Sequence, residues 1–217
     1  MRATEQKPDR TAAARERYDV LATASSAGGI HGLTVLLAGL GADFPVPVVV
    51  VQHLTRTHRT FIAEVLSRRS ALPVKLAEAG ERITAGQVYV APPDRHLLLR
   101  AHGVLELSTA DLVHFVRPSA DLLFISAADV YGPRALACVL TGTGVDGATG
   151  VARVKEAQGT VLAEDPASAE FDGMPSAAVA TGAVDRVLPL EDLAAELRAL
   201  VGAAEGTQRS VAPVDDP

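Results

Sequence analysis

"VPVVVVQHLTRTHRTFIAEVLSRRS", Val46 to Ser70, decides the fold class, because the spacing of its apolar residues changes halfway. Val46 to Val51 are apolar almost without interruption, the pattern of a strand buried on both faces. Beyond His53 the spacing becomes helical, and Phe61, Ile62, Val65 and Leu66 are expected on one packed face. A buried strand leading into an amphipathic helix is half of a βαβ unit, and it leaves Gln52-His53 at the strand's carboxyl end.

The same alternation recurs on either side. Residues 18–24, 87–92, 135–142, 159–165 and 183–189 read as further strands, and 28–40, 119–132, 148–158, 175–182 and 190–201 as helices. Residues 88–108 read as a hairpin-like pair with His96 to Arg100 as one strand. The prediction is an α/β fold: a doubly wound, mostly parallel sheet flanked by helices, with a hairpin at one edge. Residues 1–17 are polar and 204–217 lack apolar periodicity, so both are expected to be flexible segments around one domain, 18–203.

Composition narrows the function. With 217 residues and 48% hydrophobic content the chain can bury one substantial core. A net charge of −6, no Trp and 4% aromatics argue against a nucleic-acid partner, which calls for basic and base-stacking surfaces. The single cysteine, Cys138 in "ALACVLTG", excludes an internal disulfide and a cysteine zinc cluster, and reads as a core thiol. With no apolar run of about 18 residues and no signal-peptide core, the protein is expected to be cytoplasmic.

In open parallel sheets chemistry gathers at the carboxyl ends of the strands. Three such ends carry suitable residues. "LATASSAGGI" (Leu21–Ile30) puts two serines in a strand-to-helix turn, where backbone N–H groups at the helix start can stabilise an oxyanion. Ser26, two residues before Gly28, fits half of the G-x-S-x-G nucleophile pattern; Ser25 fits none, and a turn or cap serine is the competing reading for both. His53 follows the second strand and can act as a general base, or simply bond locally in its loop. Asp146 lies in the glycine-rich "CVLTGTGVDGATG", where a carboxylate can orient an imidazole. That loop lacks the GK[ST] of a phosphate-binding P-loop. His31, His96, His102 and His114 lack a comparable placement and are expected to be structural or solvent-exposed.

These residues resemble the catalytic domain of the CheB chemotaxis methylesterase family. The likeness runs from about Asp19 to Leu197, through "SAGG" (Ser26–Gly29), "VVVQH" (Val49–His53), "AGERITAGQVYVAPPDRHLLL" (Ala79–Leu99), "RPSAD" (Arg117–Asp121), "LTGTGVDGATG" (Leu140–Gly150) and "FDGMPSAA" (Phe171–Ala178). The resemblance implies a serine hydrolase with Ser26 as nucleophile, His53 as base and Asp146 as orienting acid. Ala27, Gly28, Thr143 and Gly144 are the expected oxyanion and substrate loops. It implies removal of methyl groups from glutamyl esters on the cytoplasmic helices of chemoreceptors, or on another methyl-ester protein, and extends to deamidation of receptor glutamines. No metal or organic cofactor is expected, and the membrane is reached only through a receptor.

The chain departs from the family pattern in several places. The usual N-terminal receiver domain is not expected in the 17 residues before the core. Ala24-Ser25 stand where Gly-Ala is usual, Thr143 where methionine is common, and "ELSTADLVHFVRPSAD" lacks the typical Asn-Arg step. An esterase or amidase for another substrate, and a binding module without catalysis, are the competing readings. Arg56, Arg59, Arg68 and Arg69 suit either docking on an acidic helix or a solvated face.

Overall fold

Seven strands, β1 (Val20–Ser25), β2 (Val48–Gln52), β3 (Val74–Leu76), β4 (Val88–Val90), β7 (Ala135–Val139), β8 (Thr160–Glu164) and β9 (Arg186–Leu188), form one sheet. The remaining two, β5 (His96–Arg100) and β6 (Val104–Ser108), pair antiparallel as a separate hairpin. The computed structural model describes residues 18–54 and 60–202; the expected flexible ends, His58, Arg56 and Arg59 lie outside the described residues.

All pairings in the large sheet are parallel, in the order β3-β4-β2-β1-β7-β8-β9. From β1 the chain builds outward through β2 to β3 and β4, then returns to β1's other side with β7. The strand order therefore reverses between β1 and β7, and the loops leaving these neighbours diverge to open a crevice at their carboxyl ends.

Helices cover both faces. α3 (Ala120–Tyr131), α4 (Ala148–Glu156) and α5 (Gly173–Ala180) pack with Val20, Ala22 and Ala24 of β1, while α1 (Gly29–Leu40) and α6 (Leu190–Val201) pack with Leu21 on the other face. Alternate residues of β1 thus enter opposite cores, which is why Val20 to Ala24 read as an apolar run broken only by Thr23. Cys138 is fully buried in the second core, and burial, aided by the Glu164 charge, pushes its thiol up to about 12. No helix among the described residues is long and apolar enough to cross a membrane.

Two details differ from expectation. Helix α2 (Ile62–Ser67) buries Ile62, Ala63 and Leu66, whereas Phe61 and Val65 are exposed. The helix begins only after Phe61, and one short turn and a half turns the 62, 63, 66 stripe inward. Strand β3 was not anticipated, because three half-buried residues at a sheet edge carry too little periodicity to register.

Candidate active site

Ser26, His53 and Asp146 are brought together at the crevice between β1 and β7, each one step beyond the carboxyl end of its strand or in the loop that follows. Hydrogen bonds between adjacent strand ends set their register: Ser26 N–H donates to Thr141 O (3.0 Å) and His53 N–H to Ser25 O (3.0 Å). The loop after β7 presses on the serine. A Cβ built on Gly142 would lie 2.8 Å from Ser26 Cβ and 2.4 Å from Met174 Sδ, so only glycine fits there.

His53 and Asp146 meet through Nε2 and Oδ2 at 2.8 Å. An ionised carboxylate only accepts, so in this contact Nε2 carries the proton, and a neutral imidazole held this way has its free lone pair on Nδ1. Asp146 is buried, and its oxygens are fully engaged. Oδ1 accepts from Ser119 Oγ (2.8 Å) and Asp121 N–H (3.1 Å), and Oδ2 also accepts from Ala120 N–H (2.6 Å). Burial works to raise the Asp146 carboxyl, but the His53 bond and the donors at the start of α3 outweigh it and hold it below the usual carboxylate range. An anion fixed on a helix N-terminus is a suitable partner for an imidazole that gains charge.

A second carboxylate supports the first. Asp121 Oδ1 accepts from the N–H groups of Gly147 (3.0 Å) and Gly150 (2.7 Å), and His114 Nε2 contacts its Oδ2 at 3.1 Å. Burial raises the Asp121 carboxyl, and the nearby Asp146 charge adds to the shift against the opposing pull of Gly150 and His114. Ligand atoms of His114, Asp121 and Asp146 lie within 4.8 Å of one another, but both oxygens of Asp146 and Oδ1 of Asp121 already accept backbone or side-chain donors, so a cation taking Asp146 as a ligand would compete with the network that positions it.

Gln52 joins the serine and histidine loops. Its Nε2 donates to Ser26 O (2.7 Å) and His53 O (3.0 Å), and its Oε1 accepts from the fully buried Ser25 Oγ (2.6 Å). The two serines are therefore not equivalent: Ser25 points into the packed interior, and Ser26 lines an open cleft. That cleft, about 340 Å³, is lined also by Gly28, Ile30, His31, His53 and Glu170.

The chain belongs to the CheB methylesterase family. The family model for CheB methylesterase matches residues 21–197. A "protein-glutamate methylesterase/protein-glutamine glutaminase 2" of Anaeromyxobacter dehalogenans is 42% identical over 92% of this chain and 58% of its own length. A putatively named Leptospira interrogans relative of the same description is 37% identical over 82% of this chain and 92% of its own length. The crystal structure of the Thermotoga maritima CheB methylesterase catalytic domain superposes with a TM-score of 0.82 at 37% identity, over 85% of this chain and 99% of that one. The chain spans about half the length of the first curated relatives it matches.

Within this CheB-family site the expected oxyanion residues divide. Gly28, at φ 74°, lines the cleft; Ala27 does not line it, and its carbonyl accepts from Thr141 Oγ1 (3.2 Å). Thr143 and Gly144 are exposed on the neighbouring loop, also outside the cleft lining. His31 and His114 are exposed, as expected from sequence, but both stand at the site, His31 in the cleft wall and His114 on Asp121. Gln52, Ser119, Asp121 and Glu170 were missed; the first three sit inside "VVVQH" and "RPSAD", whose polar residues next to an apolar run were the available signal. Arg68 and Arg69 are exposed just beyond the last residue of α2.

Proposed function

We propose that this chain is a protein-glutamate methylesterase that also deamidates glutamines, acting through Ser26, His53 and Asp146. The observation that carries this reading is the 2.8 Å His53–Asp146 pair beside a cleft that holds Ser26, in a chain of the CheB family. His53 Nδ1 takes the Ser26 hydroxyl proton as Oγ attacks the ester carbonyl, and Asp146 stabilises the imidazolium. The tetrahedral oxygen is met by the backbone donor of Gly28, which lines the cleft at the start of α1, and the exposed Thr143-Gly144 loop stands beside the incoming substrate. Collapse expels methanol, which leaves with the proton from His53. Water, deprotonated by the same nitrogen, then hydrolyses the acyl-serine to free glutamate. For a glutamine side chain the leaving group is ammonia.

The substrate is a methylated chemoreceptor helix or another methyl-ester protein, met in the cytoplasm, with the membrane reached only through that partner. Methanol release from a methylated receptor fragment tests this. Wild type and Ser25→Ala are expected to release methanol and Ser26→Ala to release none; full activity in Ser26→Ala would sink the assignment. Hydrolysis of small esters without methanol from the receptor points to a different substrate, and binding without turnover to a recognition module.

A further inference from the structure

The turn before α3 holds two residues in a backbone conformation they resist. Val113 and Val116 exchange hydrogen bonds (3.2 and 2.9 Å), leaving His114 and Phe115 as central residues with φ of 49° and 65°. Two successive left-handed positions are the geometry that Asn-Gly satisfies without strain, and an aromatic residue there calls for a compensating use. The turn is firmly anchored. Arg117 donates to Asp94 Oδ1 (2.7 and 3.0 Å) and to the carbonyls of Thr109 and Ala110 (both 2.8 Å), while His114 binds Asp121. The His114 ring nitrogen lies within 4.8 Å of the Asp146 carboxylate, so the turn is fixed beside the reaction centre.

Phe115, by contrast, is 91% exposed. Three more apolar side chains are exposed at the same edge: Ile30 in the cleft wall, Val145 next to Asp146, and Phe171, whose N–H donates to Thr141 Oγ1 (2.9 Å). Of the chain's five phenylalanines, Phe44 and Phe124 fill the cores, whereas Phe115 and Phe171 are spent on this rim. Apolar side chains exposed on the loops of one sheet edge mark an interaction surface, and aromatic residues carry most of the energy of such surfaces.

We propose that Phe115, with Ile30, Val145 and Phe171, docks an apolar ridge on the substrate protein: a helix with apolar side chains three and four residues to either side of the modified glutamate. This rests on the methylesterase reading of the cleft. The occupant follows from continuity with that cleft. Ile30 belongs to α1 on one face of the sheet, whereas Phe115 and Val145 precede α3 and α4 on the other, so a helix whose glutamyl side chain reaches Ser26 would turn its i±3 and i±4 residues toward loops from both faces. Phe115 is a specificity residue that touches the partner and takes no part in the chemistry.

Binding is measured in full-length Ser26→Ala protein, which separates docking from turnover. The probes are two labelled helical peptides carrying γ-methyl glutamate, one with Leu and one with Ser at the flanking positions. The Leu peptide is expected to bind at least about tenfold more tightly, and Phe115→Ala to remove that advantage without affecting the Ser peptide. Phe115→Gly, which suits the positive φ, is expected to lose the advantage while keeping the fold. With Ser26 intact, Phe115→Ala raises KM for the Leu peptide and leaves hydrolysis of p-nitrophenyl acetate unchanged. Equal binding of the two peptides, or equal loss for both in Phe115→Gly, overturns the docking surface. A wild-type dimer that Phe115→Ala dissociates also overturns it, by assigning the patch to self-association. Peptide preference without ester hydrolysis leaves the docking surface standing and removes the methylesterase reading.

Discussion

Replacing Gln52 by methionine keeps the side chain's length and removes three hydrogen bonds, the contacts that tie the serine loop to the histidine loop. Ser26 O keeps a second donor, the Gly29 N–H at 3.0 Å. His53 O loses the amide at 3.0 Å, and the buried Ser25 hydroxyl loses its 2.6 Å acceptor. Each buried group left unsatisfied costs about 1–3 kcal/mol, and since the His53 carbonyl is only partly buried the sum is about 2–4 kcal/mol. Removing Ser25's hydroxyl as well deletes one of the two orphans, so Ser25→Ala/Gln52→Met should recover about 1–2 kcal/mol relative to Gln52→Met. Catalysis should suffer separately: a shift of about 1 Å between nucleophile and base costs on the order of 100-fold in turnover. Urea unfolding gives the stability terms, and ester turnover per site titrated with an organophosphonate gives the catalytic one. A loss below about 0.5 kcal/mol for Gln52→Met, or strict additivity with Ser25→Ala, would refute the clamp.

Four further outcomes are expected. Asp146→Asn should lower turnover by about 10³–10⁴-fold, the scale known for a triad acid that sets the histidine tautomer. Because its folded carboxyl is held low, Asp146 contributes stability above the ordinary carboxylate range and loses it as pH falls through the depressed value; the Asn variant should show a shallower acid transition in pH-dependent unfolding. Glu164 has the opposite sign, since burial raises its carboxyl while Thr141 N–H (2.7 Å) pulls it down. Glu164→Gln keeps that acceptor, so its melting temperature should exceed wild type at pH 7 and the gain should shrink on acidification; a gain that is constant with pH argues against the buried charge. Cys138 should stay unreactive toward a disulfide reagent in the native protein and react at the rate of global unfolding in denaturant, and fast native labelling would contradict its burial.

The strands that carry the site were legible because both faces of the sheet are covered, and double burial writes itself as runs such as Val48–Val51. Strand β3 and the inward stripe of α2 were not, because short elements at the rim are shaped by what they pack against. The site divides the same way. Ser26, His53 and Asp146 follow strand ends in motifs that stand out from their surroundings, whereas His114 and Phe115 lie in a loop whose composition suggests neither a positive φ nor a neighbouring carboxylate.

The order of elements and the chemistry-bearing strand ends were thus determined by the sequence itself, since hydrophobic period and turn residues are local properties that each segment carries with it. Only the tertiary structure decided which histidine nitrogen meets Asp146, that Ser25 is locked onto Gln52 in the interior, and that Gln52 and Asp121 hold the loops that carry the site. Those facts depend on strand order: the reversal between β1 and β7 brings residues more than a hundred positions apart into hydrogen-bonding distance, and no local pattern encodes a contact of that range.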